Sequence, residues 1–239
     1  MLSSALRGRL RLPLADRLDG VELLDGGTLS DDEVEANLAD LARLNGLPGG
    51  TAASLAAIGR LVGPDRQPSV LDVGTGGADQ PSAFARRGWR VVAVDANPAV
   101  LRVAEQRVSA AGTELELVHA DALSLPFADG AFDVAHASLL LHHLAPTDAL
   151  RALAELRRVS RVGVVVNDLR RGLLPLGVTW VTLAALARSP VTHRDGLTSV
   201  RRAYTIREID ALLDETGLRR CWRSPAWLPR VVTAAVPVR

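Results

Sequence analysis

Several short stretches of this chain carry residues that could hold a ligand and work on it. The apolar run Val70-Leu71-Asp72-Val73 breaks into Gly74-Thr75-Gly76-Gly77, and Asp79 with Pro81 follows. Glycines there remove side chains where a backbone must bend and approach a ligand closely. Asp79 reads as an N-cap acid and Pro81 as an early-turn proline, so a helix opens at once and points free N–H groups the same way. Asp95 ends the next apolar run, where an acid can accept from both hydroxyls of a ribose. Asp121, in His119-Ala120-Asp121-Ala122, can accept from the exocyclic amine of a base. Ala137 and Ser138 close a further run, where the reactive part of such a ligand would sit. His142 and His143 follow, and imidazole titrates near neutral pH. Each item alone has a plainer reading: a packing turn, an N-cap, a loop acid, a pair of buried or surface histidines. Their order, each at the end of an apolar run, points to one ligand site.

Elements of alternating period position these residues. Ser30-Asp31-Asp32-Glu33 starts a helix carrying Val34, Leu38, Leu41 and Leu44, and Asn45-Gly46 ends it. Thr51 caps a second helix that runs to Gly63-Pro64. Strands then fall at 69–73, 89–94, 115–119, 133–137 and 161–166. Helices fall between them at 79–87, 98–111 and 147–159. Strands alternating with helices predict a parallel sheet covered on both faces. After 166 come Asn167-Asp168, an apolar helix at 173–187, a polar loop at 189–203 and a helix at 205–216. Candidate strands at 218–223 and 230–238 have no helix between them, so they form an antiparallel hairpin. The fold class is α/β: a Rossmann-like, doubly wound, mainly parallel seven-stranded sheet with an antiparallel C-terminal hairpin and helical cap segments. The expected domains are an N-terminal helical cap over 1–50 and the main domain over 51–239, with a lid insertion at about 172–204.

Composition narrows the function. A net charge of +1 gives no global attraction to nucleic acid or an anionic membrane. All basic residues are arginine, which removes lysine Schiff-base and lysine general-base chemistry. A single cysteine, Cys221, rules out a disulfide within the chain and makes a cysteine metal site unexpected. The N-terminus has no apolar core suited to a signal peptide, and no apolar stretch reaches the roughly 20 residues of a membrane span. The expectation is a cytoplasmic protein without stable membrane insertion.

A dinucleotide fingerprint needs a third glycine where Asp79 stands, so that match fails. The run of motifs Val70–Gly77, Val91–Asp95, His119–Ala122 and Phe132–Leu144 instead resembles class I S-adenosylmethionine-dependent methyltransferases. The nearest likeness is to the small-molecule branch around ubiquinone and menaquinone biosynthesis. The resemblance implies that Asp72 and the Gly74-Thr75-Gly76 turn hold the methionine end of S-adenosylmethionine. It implies Asp95 at the ribose with Ala96 beside the adenine, Asp121 and Ala122 at the adenine amine, and Ala137 and Ser138 near the sulfonium. S-adenosylhomocysteine is the implied product. Gly77-Ala78 departs from the family, which often has a glycine at the second of these positions.

Methyl transfer needs an in-line nucleophile, and a general base helps when the acceptor is a hydroxyl or amine. His142 and His143 are the candidates, with at most one facing the ligand if both lie on a helix; His142 is preferred. Asp168 is a base, an acceptor for substrate hydroxyls or a cap, and Asn167 borders the same space. A catechol-type metal site would need more carboxylates after the fourth and fifth strands, and adjacent histidines lack the usual i, i+4 geometry, so no metal is expected. The helix 173–187, with Trp180, reads as a lid over an apolar acceptor, a homodimer contact or a buried helix. Arg194, Arg201, Arg202 and Tyr204 read as an acid-attracting or a solvated surface. The expected function is methyl transfer to O or C of a small apolar or aromatic metabolite, quinone- or polyketide-like, as in natural-product biosynthesis. An S-adenosylmethionine-binding cyclase or pericyclase, or a non-catalytic cofactor-binding protein, would share the same motifs.

Overall fold

The computed structural model describes residues 16–18, 22, 23, 26, 29–225 and 229–238. Most of the first 28 residues of the expected cap over 1–50 lie outside these. Helix α1 (Asp31–Asn45) opens on a reciprocal cap: Ser30 Oγ accepts from Glu33 N, and Glu33 Oε2 accepts from Ser30 N. Helix α2 (Thr51–Val62) leads into a seven-stranded sheet. Its strands are β1 (Ser69–Val73), β2 (Arg90–Asp95), β3 (Glu116–His119), β4 (Phe132–Ser138), β5 (Ser160–Leu169), β6 (Leu218–Arg223) and β7 (Arg230–Pro237). Helices α3 (Asp79–Ala85), α4 (Pro98–Ala110) and α5 (Pro146–Val159) cross between strands, and α6 (Leu173–Leu186), α7 (Pro190–Arg202) and α8 (Ile206–Glu215) follow β5.

The strand order is β3-β2-β1-β4-β5-β7-β6, and only β7 runs against its neighbours. The order reverses beside β1, so the carboxyl ends of β1 and β4 flank the crevice where open α/β sheets bind ligands. Alternate residues sort to the two faces. Val70, Val91, Val134 and Val165 pack under α2 and α3 with Ile58 and Phe84. Leu71, Val73, Ala135 and Val164 pack under α5 and α8 with Leu153, Leu156 and Ile209. Gly163 allows β7 its close approach, since a Cβ there would collide with the Ala235 carbonyl.

Three expectations change. Residues 189–203 are not a loop but mostly helix α7, and the buried face of that helix is mostly polar: Thr192, Asp195, Ser199 and Arg202, beside Val191 and Val200. A stripe of hydrogen-bonded polar groups carries no apolar period, which is why the helix is hidden in the sequence. Asn167 and Asp168 do not bound β5 but lie inside it, held by the pairs Asn167↔Val232 and Asp168↔Val231. Ala78, not Asp79, caps α3, and it does so in the left-handed conformation (φ 57). Ala78 thus takes the shape a glycine would favour, and the turn closes without one. Among the described residues no helix is long and apolar enough to cross a membrane.

Leu153 is fully buried between α5 and the sheet. Leu153→Ala is expected to cost about 2–5 kcal/mol of folding stability. In urea titration the midpoint should fall while the slope of stability against denaturant stays the same.

Candidate functional site

A cavity of about 900 Å³ opens over the carboxyl ends of the central strands and is roofed by α1, α6 and α7. The glycine turn forms its floor. Gly74 (φ +72) and Gly76 (φ +56) sit in the left-handed region, and a Cβ on Gly74 would come within 3.0 Å of Leu140. Both N–H groups of Gly74 and Thr75 donate to the Val94 carbonyl, tying the turn to β2.

Asp95 leaves β2 at one end of the cavity. Its Oδ2 accepts from Gly76 N and its Oδ1 from Asn97 N, each at 3.0 Å. Burial pushes its carboxyl above the ordinary value, against the pull of those two hydrogen bonds. Ala96, Asp121 and Ala122 line the same end, and exposed Asp121 accepts from Leu123 N at 2.9 Å. This end has the acids and small residues suited to a ribose and an adenine.

Asp72 stands in the floor next to the glycine turn, 2% exposed. Its Oδ1 is 2.5 Å from His136 Nδ1, and His136 Nε2 is 2.9 Å from Ser54 Oγ. Asn167 Nδ2 donates to that same hydroxyl at 2.8 Å. The Ser54 proton is therefore free to go to Nε2, and a neutral His136 carries its hydrogen on Nδ1, pointed at Asp72. A buried carboxylate is thereby kept oriented from beneath.

The opposite end is built on β4 and β5. Leu139 takes the left-handed conformation (φ 54) and donates its N–H to the Asn167 carbonyl at 2.9 Å. The chain then makes a 3-10 turn over Leu141–His143. His142 N donates to Asp168 Oδ2 at 3.2 Å, and His142 Nδ1 lies 2.6 Å from Asp168 Oδ1. Leu169 N donates to the same carboxylate. Burial pushes Asp168 up, but the charges of His142 and His143 and the hydrogen bonds from His142 and Leu169 outweigh it and hold the carboxyl below its ordinary value. Asp168 is thus an ionised acceptor. His142 Nδ1 is the donor, and Nε2 is left for the cavity.

Both histidines line the cavity, with ring centroids 4.2 Å apart. The expectation that at most one would face the ligand therefore changes: the two side chains converge over the turn, their rings tilted side by side, although adjacent helical positions point apart. Carbonyls of this turn are clamped from outside: Arg17 donates to His142 O and Leu144 O, Arg202 to His143 O, and Tyr204 to Leu144 O. Glu22 closes the cluster, with Oε1 3.7 Å from His142 Nε2 and Oε2 3.7 Å from His143 Nε2. The two nitrogens and the carboxylate lie within 4.8 Å of one another, a set that could hold a divalent cation.

Other expected site residues fall elsewhere. Ser138 lines the cavity, accepting from Gln80 Nε2 and Arg230 Nη2, but Ala137 is packed in the core below it. Asn167 lies beneath the floor, fully buried. Trp180 is 60% exposed on the outer face of α6, beside Leu173, Leu174 and Val181, so it does not line the cavity. Tyr204 is buried behind the histidine turn, with Arg17 over its ring, and Arg202 is buried while Arg194 and Arg201 are exposed. Sequence reading missed Glu22, Gln80 and Arg230. Glu22 and Arg230 reach the site from distant segments that no local pattern marks, while Gln80 stands in the first turn of α3, just past the glycine turn.

Similarity to known proteins agrees with this geometry. A family model described as a methyltransferase domain matches residues 70–163. The chain is 36% identical over 172 residues to a demethylmenaquinone methyltransferase of Thermobifida fusca, covering 66% of this chain and 68% of that one. It is 38% identical over 96 residues to a demethylmenaquinone methyltransferase of Thermus thermophilus, which is 39% of this chain but only 43% of the relative. The crystal structure of an S-adenosylmethionine-dependent methyltransferase from Aquifex aeolicus superposes with a TM-score of 0.65 at 18% identity, over 88% of this chain and 100% of that one. At that identity the superposition speaks for the fold.

Asp95 gives the sharpest test of the ligand's orientation. Asp95→Ala is expected to weaken S-adenosylhomocysteine about 10- to 100-fold in calorimetric titration, the loss of charge-assisted hydrogen bonds. Asp121→Ala should cost less, because water replaces an exposed partner.

Proposed function

The chain belongs to the class I S-adenosylmethionine-dependent methyltransferases, and within that family we propose that it methylates an aromatic hydroxyl compound or hydroquinone at oxygen or at the adjacent ring carbon. The single observation that carries this reading is the His142–Asp168 pair at the cavity's acceptor end. Asp168 occupies Nδ1, so when the imidazole is neutral its lone pair is on Nε2, on the cavity side and 3.7 Å from Glu22 Oε1. The cavity lining also includes Leu41, Leu44, Val178 and Leu183, apolar side chains that suit a flat apolar acceptor, while Glu22 and Ser199 form a polar side next to the histidines. The quinone substrate in the names of the relatives supports the same class. In this reading α1 forms a cap, and the lid of about 172–204 closes over the acceptor.

His142 Nε2 takes the acceptor's hydroxyl proton. When bound along Asp72, the glycine turn and Asp95, S-adenosylmethionine would supply the methyl group to that oxygen or to the ring carbon conjugated to it, with S-adenosylhomocysteine as the other product. His142 then gives its proton to water. Where carbon attacks, that carbon's own proton leaves afterwards and restores the ring. Asp168 is a positioning residue: it fixes the tautomer and stabilises the imidazolium. The rest of the rate comes from holding acceptor and methyl group in line.

The test is incubation with methyl-labelled S-adenosylmethionine and a panel of phenols, naphthols and hydroquinones, read by mass spectrometry. Label in an acceptor is expected; bound cofactor with no labelled product across the panel contradicts the reading. His142→Ala should then lower kcat about 10²- to 10⁴-fold while S-adenosylhomocysteine affinity stays within about threefold. Dialysis against a chelator should leave turnover unchanged. Loss of activity restored by a divalent cation would assign Glu22, His142 and His143 to a metal instead.

A further inference from the structure

Arg230 is a buried guanidinium in the cavity wall that the methyl-transfer chemistry does not use. It enters from the start of β7, whose antiparallel pairing sets Arg230 opposite Leu169 at the end of β5. Three of its N–H groups are engaged, and all three partners are neutral: Asn167 Oδ1 at 3.0 Å, Asn45 Oδ1 at 2.5 Å and Ser138 Oγ at 2.9 Å. A guanidinium has five N–H donors, so two remain. Among the described residues no carboxylate pairs with it. Asp79 and Asp168 act on it only at longer range, while burial pulls its pKa down to about 10. A buried cation with only neutral partners and spare donors is an unfinished anion site.

Its surroundings give the anion's class. Gln80, 3% exposed, donates to Ser138 Oγ, which also accepts from Arg230, and its own Oε1 has no partner among the described residues although it is buried at the cavity wall. Asp72 and Asp79 line the same end, and Asp79 is tied to Asn45 at 2.9 Å. One cation with spare donors, an unpartnered amide oxygen and two acids together suit a zwitterion that carries a carboxylate and an ammonium side by side. This end adjoins the glycine turn and lies away from Asp121 at the adenine end.

We propose that Arg230 binds the methionine carboxylate of S-adenosylmethionine, with Gln80 Oε1 accepting from the adjacent ammonium. The cofactor is then gripped at its amino-acid end by a side chain from the C-terminal hairpin, in addition to the glycine turn. The inference rests on the cofactor and not on the acceptor chemistry proposed above, and it is tested by binding alone.

Calorimetric titration compares S-adenosylhomocysteine with its decarboxylated analogue. Native protein is expected to prefer the carboxylate form about 10- to 100-fold, the worth of a charge-assisted pair. In Arg230→Met that preference should fall to within about threefold. Binding of 5′-methylthioadenosine, which lacks the amino-acid end, should be equal in both proteins and reports an intact adenosyl site. A preference that survives in the variant overturns the proposal. So does a native protein that binds both ligands alike, a result that needs no variant. Should Arg230→Met lose 5′-methylthioadenosine as well, Arg230→Lys replaces it and should show an intermediate preference, since a point charge lacks the bidentate fork; an undiminished one overturns the proposal.

Discussion

The 2.6 Å hydrogen bond between His142 Nδ1 and Asp168 Oδ1 is the constraint on which the acceptor end of this site depends. Both groups are almost wholly buried. An unpartnered carboxylate there would be costly, so the imidazole, the His142 N–H and the Leu169 N–H must all be in place for it to stay ionised. In return the carboxylate fixes which ring nitrogen carries hydrogen. Everything that shapes the 3-10 turn serves this contact: the left-handed Leu139 and the Arg17, Arg202 and Tyr204 donors on the turn's carbonyls. Asp168 itself is held because β7 pairs with β5 along its full carboxyl half. The antiparallel hairpin therefore shapes the active site as well as completing the sheet.

A second layer of polar groups runs beneath the floor. His136, Ser54 and Asn167 link Asp72 to Arg230, and Arg230 links on to Ser138, Asn45 and, through Asn45, Asp79. Such a network is costly if incomplete and rigid if complete. Here the free capacity lies on the cavity side, where the Gln80 and Thr75 oxygens lack partners among the described residues. Polar groups left unpaired at a cavity wall are where a polar ligand completes the structure. The polar lining is spread along the cavity: Asp72, Asp79, Gln80 and Arg230 by the glycine turn, Asp95 and Asp121 past β2 and β3, and His142 and His143 with Glu22 past β4.

The parallel core was legible because its signals are local. Apolar runs at 70–73, 91–94 and 133–137 alternate with helices, and the first two end at Gly74 and Asp95. Asp95 and Asp121 could be placed at the cavity for the same reason, since both are marked by position at or just past strand ends. The acceptor end was only half legible. His142, His143 and Asp168 stand out by type, but their geometry comes from a 3-10 turn and a strand register that no short pattern encodes. Helix α7 was hidden because its buried face is mostly polar. Trp180 was misjudged because α6 is apolar almost all round, so its sequence does not say which face is inward. Glu22 and Arg230 contact partners far away in sequence, and such pairing is set by the tertiary fold alone.

The proposed chemistry of His142 turns on one proton. Long-range ¹⁵N–¹H correlation spectra of the histidine rings, recorded on native protein and on a His142→Gln variant to assign the signals, read that proton directly. The account predicts that neutral His142 is the Nδ1–H tautomer, with an unprotonated Nε2, and that Asp168→Asn disturbs this pattern. A His142 signal showing hydrogen on Nε2 with a bare Nδ1 facing Asp168 would contradict it, because the nitrogen facing the acceptor would then have no lone pair to receive a proton.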